Sequence, residues 1–290
     1  MSKIGFIGTG IMGRPMAGHL QAAGHQLYLC RHRTPPPQEL VDGGAIECGS
    51  PGDLARQADI IITMLPDTPQ VNDVLFGEDG VASGLESGRL VIDMSSISPI
   101  ETQAFAEKIT ALGCEYIDAP VSGGEVGAKS AGLTIMAGGS EAAYEKARPL
   151  FELMGKNITL VGDSGAGQTC KVANQIIVAL TIEAVSEALV FASKAGVDPA
   201  RVREALMGGF AGSRILEVHG ERMIKRTFDP GFRIDLHQKD LNLALSGARA
   251  LGVSLPNTAT TQELFNACDG SLDHSALIQV LEHLAGHALN

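Results

Sequence analysis

The first half of the chain alternates between short apolar runs and longer segments with helical periodicity. The apolar runs, which we interpret as strands, are residues 4–7, 26–30, 60–65, 90–94, 116–117, 134–136 and 158–161. Helix start signals lie between several of them, because Ser98 precedes a proline and an acidic first turn, and Ser140 precedes early acidic residues. Strands that are apolar on both faces and alternate with helices predict a parallel sheet covered on both sides.

After residue 163 the pattern becomes helical throughout. Residues 168–195 contain neither glycine nor proline and are apolar over most of their surface, and further helical patterns cover residues 199–206, 216–225, 234–251, 258–267 and 274–288. A helix as long and apolar as 168–195 is expected to be buried along most of its length, inside a helical domain or in a subunit interface. The pattern predicts an α/β domain with a mostly parallel, doubly wound sheet over residues 1–163, and an all-α domain over residues 164–290.

Composition and charge exclude several classes of partner. The 290-residue chain is 44% hydrophobic and 19% charged, with a net charge of −11, which argues against binding to nucleic acid or to an anionic membrane surface. No run approaches the roughly 18 consecutive apolar residues of a membrane span. The five cysteines form no C-x-x-C pair and have no metal-like spacing with histidine, so we expect reduced thiols in a cytoplasmic protein and no metal site.

A glycine-rich turn follows the first predicted strand and opens a helical pattern. Gly8, Gly10 and Gly13 have the G-x-G-x-x-G spacing, with Ile11 and Met12 between the last two glycines. In this context the first glycine permits a tight turn, the second lets the backbone approach a pyrophosphate, and the third allows close helix–strand packing. The alternative is a strand–helix turn without a ligand. We interpret the turn as the pyrophosphate site of a nicotinamide dinucleotide.

The end of the second predicted strand bears on the choice of cofactor. No carboxylate stands there to accept hydrogen bonds from a ribose 2′-hydroxyl, whereas Arg31 and Arg33 can form charge-assisted bonds to a 2′-phosphate. Two solvated loop arginines are the alternative. We therefore expect a preference for NADPH, with NADH also usable.

Two other strands are expected to end at the same edge of the sheet, where open parallel sheets bind ligands. Leu65 and Pro66 follow one of them, and Ser96 follows the other, so these residues are predicted to line the nicotinamide ribose. Ser96 can equally be a helix or turn cap.

A later strand is followed by Ser122, Gly123 and Gly124. These residues offer a hydroxyl and unobstructed backbone N–H groups, which suit a substrate carboxylate. The alternative is an ordinary glycine-rich turn.

Lys171 is the strongest candidate for proton transfer. It lies in the first turns of the long helix among apolar neighbours, and Asn174 and Gln175 are expected to project from the same face. A partly desolvated lysine can give a proton to the alkoxide that develops as hydride reaches a carbonyl carbon. A solvated surface lysine is the alternative. Lys239 is a second candidate, and its alternative is a surface ion pair with Asp240 or Asp235.

Four segments together resemble the β-hydroxyacid dehydrogenase family: residues 8–17, residues 118–124, residues 165–168 with Lys171 and Asn174, and residues 239–241. The resemblance implies a Rossmann domain followed by a helical domain, with Lys171 as general acid/base and residues 122–124 at the substrate carboxylate. It also implies that Lys239 lies near the cofactor and that subunits form a dimer or tetramer through the helical domain. The second asparagine of the family's common Lys-x-x-Asn-Asn pattern is Gln175 here, so either Asn174 or Gln175 can meet the substrate.

Residues 61–66, 93–97, 171–180 and 230–237 indicate the activity within the family. They resemble members that reversibly reduce tartronate semialdehyde to glycerate in glyoxylate or sugar-acid catabolism, so a small carboxylate substrate is expected. A 3-hydroxyisobutyrate dehydrogenase shares every motif used for chemistry and is an alternative. A catalytically silent dinucleotide sensor or scaffold is an alternative of another class.

Overall fold

The computed structural model describes residues 1–30 and 35–289, and the chain forms two compact units, Met1–Lys171 and Val172–Asn290. The predicted boundary at residue 163 precedes the long helix, which supplies residues to both units. Arg31 and Arg33, the residues predicted to meet a 2′-phosphate, lie outside the described residues.

The described residues of the first unit form a nine-stranded sheet. Its strands are β1 Lys3–Ile7, β2 Gln26–Cys30, β3 Ile46–Cys48, β4 Ile60–Thr63, β5 Leu90–Asp93, β6 Glu115–Asp118, β7 Val121–Ser122, β8 Leu133–Gly138 and β9 Gly155–Gly162. Six parallel strands follow the order β3-β2-β1-β4-β5-β6, and β8 then pairs antiparallel with β6 and β7 and parallel with β9. This order is that of a Rossmann fold, and it confirms the predicted mostly parallel, doubly wound sheet.

Helices surround this sheet in the same unit. They are α1 Gly13–Ala22, α2 Gln38–Asp42, α3 Pro51–Gln57, α4 Thr68–Phe76, α5 Val81–Gly84, α6 Pro99–Ala111, α7 Gly124–Lys129 and α8 Glu141–Phe151. The predicted start signals are confirmed, because the Ser98 hydroxyl accepts the Glu101 N–H at the start of α6 and Ser140 accepts the Ala143 N–H at the start of α8.

Successive residues of the central strands belong to two different apolar clusters. Ile4 and Phe6 of β1 pack in one cluster, and Ile7 packs in the other. Ile62 and Ile61 of β4 divide in the same way. Both clusters are buried, so the sheet is covered on both faces, as a strand that is apolar on both faces requires.

The second unit is helical. Its elements are the greater part of α9 Ala166–Lys194, then α10 Pro199–Met207, α11 Arg214–Lys225, α12 Ile234–Leu251, α13 Pro256–Asn266, a 3₁₀ helix His274–Leu277 and α14 Ile278–Ala285. The pattern over 274–288 predicts one helix, whereas the structure has a 3₁₀ turn followed by an α-helix. Gly286, at φ 56°, ends that helix.

The long helix α9 is apolar but only partly buried within the described residues. Ala179, Ile182 and Leu189 join the core of the helical unit, whereas Ile177 and Phe191 are 66% and 77% exposed. By length and composition alone α9 would be able to cross a membrane, a property that it shares with core helices of helical domains. The helical domain of the single chain therefore buries only part of the helix, and burial of the rest in a subunit interface stays a prediction.

Candidate active site

The glycine-rich turn between β1 and α1 is tightly packed at two of its three glycines. A Cβ on Gly8, which has φ +101°, would lie 2.2 Å from the Met64 carbonyl oxygen, and a Cβ on Gly13 would lie 1.9 Å from the Gly8 carbonyl oxygen. A Cβ on Gly10 would meet no atom of the described residues within 4 Å. Gly8 and Gly13 are therefore required by the fold, whereas the bare backbone at Gly10 faces open space that a ligand can fill.

The start of α1 leaves backbone donors available to an anion. Met12 precedes the helix without a side-chain cap, and the first turn contains no acidic residue. Ile11, in the same turn, is 69% exposed. Uncapped N–H groups and the positive end of the helix dipole favour a phosphate at this position, so the turn fits the pyrophosphate of a dinucleotide.

The carboxyl ends of the neighbouring strands form one row of polar residues. Thr63, Asp93 and Asp118 are the last residues of β4, β5 and β6 and lie in register. The Thr63 hydroxyl donates to Asp93 over 2.8 Å, and the three side chains are fully buried. Burial raises the pKa of Asp93, and it also raises the pKa of Asp118 to about 6, to which the nearby Asp93 charge adds.

The loops after β4 and β5 meet beyond this row. The Leu65 N–H donates to the Ser95 hydroxyl over 2.9 Å, which brings together the two segments predicted to line the cofactor. Pro66 is exposed and Ser96 is half-buried. The helix-cap alternative for Ser96 is wrong, because Ser98 caps α6.

Asp118 also binds the start of α9. Its two carboxylate oxygens accept the Gly165 N–H over 2.7 Å and the Gln168 N–H over 2.8 Å. The fully buried Gln168 side chain accepts the Ile97 N–H over 3.1 Å and donates to the Ser95 carbonyl over 2.7 Å. Sequence reasoning placed Asp118 and Gln168 in motifs but assigned no role to their side chains.

Lys171 follows this anchored turn of α9 and is 7% exposed. The burial agrees with the apolar neighbours in the sequence, and the alternative of a solvated surface lysine is wrong. A buried ammonium can deliver a proton without competition from water.

The segment predicted to hold a carboxylate forms a short strand and a turn. Ser122 ends β7, which pairs antiparallel with β8, and it is half-buried. Gly123 and Gly124 have φ values of 135° and 59°, so both adopt backbone conformations that favour glycine. The turn therefore depends on glycine at both positions.

In the helical unit, the amide of Gln175 is engaged on both sides. It donates to Asp240 over 2.5 Å and accepts from the Asn174 amide nitrogen over 2.7 Å. Lys239 pairs with Asp240 over 2.9 Å and is 18% exposed. The ion pair given as an alternative for Lys239 is therefore present, but it is largely buried rather than on the surface.

A chain of three histidines lies beside this network. His237 Nε2 is 3.3 Å from the Gln175 carbonyl, His237 Nδ1 is 3.0 Å from His274 Nδ1, and His274 Nε2 is 3.1 Å from His219 Nε2. His219 Nδ1 lies 3.7 Å from an oxygen of the fully buried Asp273. Burial and the two neighbouring histidines hold the pKa of His274 well below its usual value.

The ligand atoms of His219, Asp273 and His274 lie within 4.8 Å of one another, as in a metal site. The Asp273 carboxylate is already occupied by donors, which are Arg222, Ser275 and the backbone N–H groups of Gly231, Phe232 and Ser275. A cation would displace these bonds and face the Arg222 guanidinium. The cluster is therefore a hydrogen-bonded ion network of the helical core.

The Rossmann sheet, the cofactor turn and the buried lysine define a nicotinamide-dependent oxidoreductase. Residues 3–162 match the family model of the NAD-binding domain of 6-phosphogluconate dehydrogenase. Residues 165–281 match the NAD-binding model of NADP-dependent 3-hydroxyisobutyrate dehydrogenase. The chain belongs to the β-hydroxyacid dehydrogenase family.

Individual relatives agree with this assignment. The chain is 63% identical to 2-hydroxy-3-oxopropionate reductase of Escherichia coli K12, over 99% of each chain. The structure of Mycobacterium tuberculosis 3-hydroxyisobutyrate dehydrogenase with L-serine is 32% identical, with a TM-score of 0.89 over 97% of this chain and 99% of that one. The structure of Psf3 in complex with NADP⁺ and 2-OPP is 25% identical, with a TM-score of 0.85 over 96% and 99% of the two chains. These relatives favour an enzyme over a silent dinucleotide-binding scaffold.

Proposed function

We propose that this enzyme reversibly reduces tartronate semialdehyde (2-hydroxy-3-oxopropanoate) to glycerate, in glyoxylate or sugar-acid catabolism. The observation that carries the substrate is the 63% identity to the Escherichia coli 2-hydroxy-3-oxopropionate reductase along the whole chain. The 3-hydroxyisobutyrate dehydrogenase of known structure, at 32% identity, fits less well. The five free cysteines support a reducing, cytoplasmic location.

The residues around the turn between β1 and α1 are proposed to hold the cofactor. Gly8, Gly10 and Gly13, with Ile11 and Met12, form the pyrophosphate cradle. Further residues proposed to line the cofactor are Leu65, Pro66, Ser96 and Lys239. Strand β2 ends on Cys30 rather than on a carboxylate, which supports NADPH as the preferred cofactor with NADH also usable.

The substrate is proposed to be held by its carboxylate and by its aldehyde oxygen. Ser122 donates its hydroxyl, and Gly123 and Gly124 present backbone N–H groups, to the carboxylate. The bound cofactor supplies hydride to the aldehyde carbon, and the Lys171 ammonium donates a proton to the aldehyde oxygen. Asn174 is favoured over Gln175 as the amide that contacts the substrate, because Asp240 and Asn174 already engage the Gln175 amide.

The substrate and cofactor are tested by measuring kcat/KM for two semialdehydes with both cofactors. Methylmalonate semialdehyde carries a methyl group where tartronate semialdehyde carries a hydroxyl, and a site that hydrogen-bonds the hydroxyl rejects the methyl analogue. We expect kcat/KM to be at least about tenfold higher for tartronate semialdehyde than for methylmalonate semialdehyde. We also expect it to be higher with NADPH than with NADH. A preference for methylmalonate semialdehyde would establish the 3-hydroxyisobutyrate alternative, and an NADH preference of about tenfold or more would contradict the cofactor assignment.

Homo-oligomerisation through the helical unit is also proposed. Ile177 and Phe191 of α9 are large, exposed and fourteen residues apart, which is about four helical turns. They therefore lie on the same side of the helix. Exposure of both side chains to water is unfavourable, and association with a second copy of the chain would bury them. Light scattering should show a dimer or tetramer that Phe191→Lys weakens, while Leu251→Lys, at an equally exposed apolar position of α12, leaves it intact. A wild-type monomer at all concentrations would refute the proposal.

A further inference from the structure

The start of α9 is bound by a side chain that is remote in sequence. Gly165 and Gln168 donate their backbone N–H groups to Asp118, from which they are separated by 47 and 50 positions. The first N–H groups of a helix have no partner within the helix, and a carboxylate beside them interacts favourably with the helix dipole. Asp118 therefore acts on α9 as a capping residue supplied by the end of β6.

Backbone contacts leave this turn of α9 little freedom. A Cβ on Gly138 of β8 would lie 2.6 Å from the Gly167 nitrogen, and a Cβ on Gly167 would lie 2.3 Å from the Met136 carbonyl oxygen. This close approach restricts movement of the turn perpendicular to the helix axis. The Asp118 carboxylate restricts translation along the axis and rotation about it, because its two oxygens bind two N–H groups that are three residues apart.

The same turn is tied to the loop that is proposed to line the cofactor. The Gln168 side chain accepts the Ile97 N–H and donates to the Ser95 carbonyl. Asp118 itself stands four positions before Ser122, and Lys171 stands three positions after Gln168, a rise of about 4.5 Å along the helix. The segments proposed to hold cofactor, substrate carboxylate and proton donor therefore converge on the bonds between Asp118 and α9.

We propose that Asp118 is a positioning residue, whose carboxylate fixes the start of α9 and thereby aims the Lys171 ammonium at the substrate oxygen. This inference rests on the proposed function, in which Lys171 donates the proton. Asp118 contacts neither substrate nor cofactor in this role. It acts through the two backbone N–H groups and the single helical turn that separates them from Lys171.

The charge on Asp118 gives this role a pH signature. Burial raises its pKa from 3.8 to about 6 against the lowering effect of the Gly165 and Gln168 N–H groups. Two titratable groups face Asp118. The charge of Asp93 raises the pKa of Asp118. The other group is Tyr116, and burial holds the pKa of Tyr116 well above its usual value. Below about pH 6 one oxygen gains a proton and no longer accepts a backbone N–H, so the rate of reduction should fall.

The same pKa shift sets how stability depends on pH. Because the pKa is higher in the folded chain than in the unfolded chain, the contribution of Asp118 to stability falls as pH rises from about 4 to about 6. Burial is the larger cause of this shift, and the Gly165 and Gln168 N–H groups oppose it.

The test compares Asp118→Asn with the wild type in the direction of reduction. The amide is nearly isosteric but can accept only on one side, so we expect kcat to fall about 10- to 100-fold, since a displacement of about 1 Å can cost about 100-fold. NADPH affinity should be unchanged, and the loss of rate below about pH 6 should disappear. Asp198→Asn is the matched control, because Asp198 caps α10 by accepting the Ala200 N–H and should leave kcat and its pH profile unchanged.

Each outcome decides the inference. A wild-type pH profile in Asp118→Asn would overturn it. If that variant fails to fold, single-turnover hydride transfer in the wild type and in Asp93→Asn carries the test, because the inference requires a fall below about pH 6, at constant NADPH affinity, that persists without the Asp93 carboxyl. Lys171 cannot cause that fall, since acid keeps it in the ammonium form that reduction needs. Failure of the proposed function is distinct, because turnover would then persist in Lys171→Ala or be absent from the wild type.

Discussion

Replacing Lys171 by alanine is expected to lower kcat for the reduction of tartronate semialdehyde by about 10²- to 10⁴-fold, the range for loss of a positioned general acid. The reason is that the alkoxide formed by hydride arrival would lose its proton donor in a site where the lysine is 7% exposed. NADPH affinity should stay close to that of the wild type, because Lys171 is proposed to act on the substrate. The measurement is steady-state turnover together with a cofactor titration.

Two controls make the result specific to Lys171. Lys146→Ala removes a lysine that is 58% exposed and paired with Glu115, and it should leave kcat unchanged. A small primary amine added to Lys171→Ala should restore part of the rate, because it supplies the missing proton donor in the space that the side chain vacates. Turnover in Lys171→Ala equal to that of the wild type would remove Lys171 from the mechanism.

Replacing Gly10 by valine is expected to raise the Kd for NADPH by about 10- to 100-fold while the melting temperature of the ligand-free protein stays unchanged. A Cβ on Gly10 meets no atom within 4 Å among residues 1–30 and 35–289, so we expect the fold to tolerate it. It occupies the space in which the pyrophosphate is proposed to approach the backbone. Each charge-assisted hydrogen bond lost contributes about 1.5–3 kcal/mol, and about 1.4 kcal/mol corresponds to tenfold in affinity.

The matched variant is Gly13→Ala, which should lose stability as well as affinity. Its Cβ would lie 1.9 Å from the Gly8 carbonyl oxygen, and such overpacking costs about 1–3 kcal/mol. Calorimetry of the ligand-free proteins and NADPH titration of both variants separate the two effects. Wild-type NADPH affinity in Gly10→Val would show that the pyrophosphate does not approach this turn.

Local signals in the sequence were sufficient for most of the fold. The caps at Ser98 and Ser140 bind the N–H groups that the sequence predicts, since a cap acts within one helical turn. The short strands β3 and β7 were not predicted. They contain three and two residues, which are too few to show the alternation of apolar and polar positions that indicates a strand. Their strand conformation depends on pairing with β2 and with β8, which lie elsewhere in the chain.

The residues of the candidate site were easier to predict from the sequence than the hydrogen bonds between them. Apolar neighbours indicated that Lys171 is buried, and glycine spacing indicated a cradle at residues 8–13. The anchoring by Asp118 was not predictable, because it depends on strand register and on a helix that begins 48 positions later. The nearest signal is that β5 and β6 both end on a buried aspartate, Asp93 and Asp118. The Gln175–Asp240 bond was missed because it joins two different helices.

The histidine chain of the helical unit sets a limit on its own hydrogens. Its three rings make four contacts, which are with the Gln175 carbonyl, between His237 and His274, between His274 and His219, and with the Asp273 carboxylate. Each contact needs one hydrogen between its two heavy atoms, whereas each neutral imidazole has a single N–H. Three neutral rings therefore leave one of the four contacts without a hydrogen, and the tautomer of any one ring constrains the tautomers of the other two.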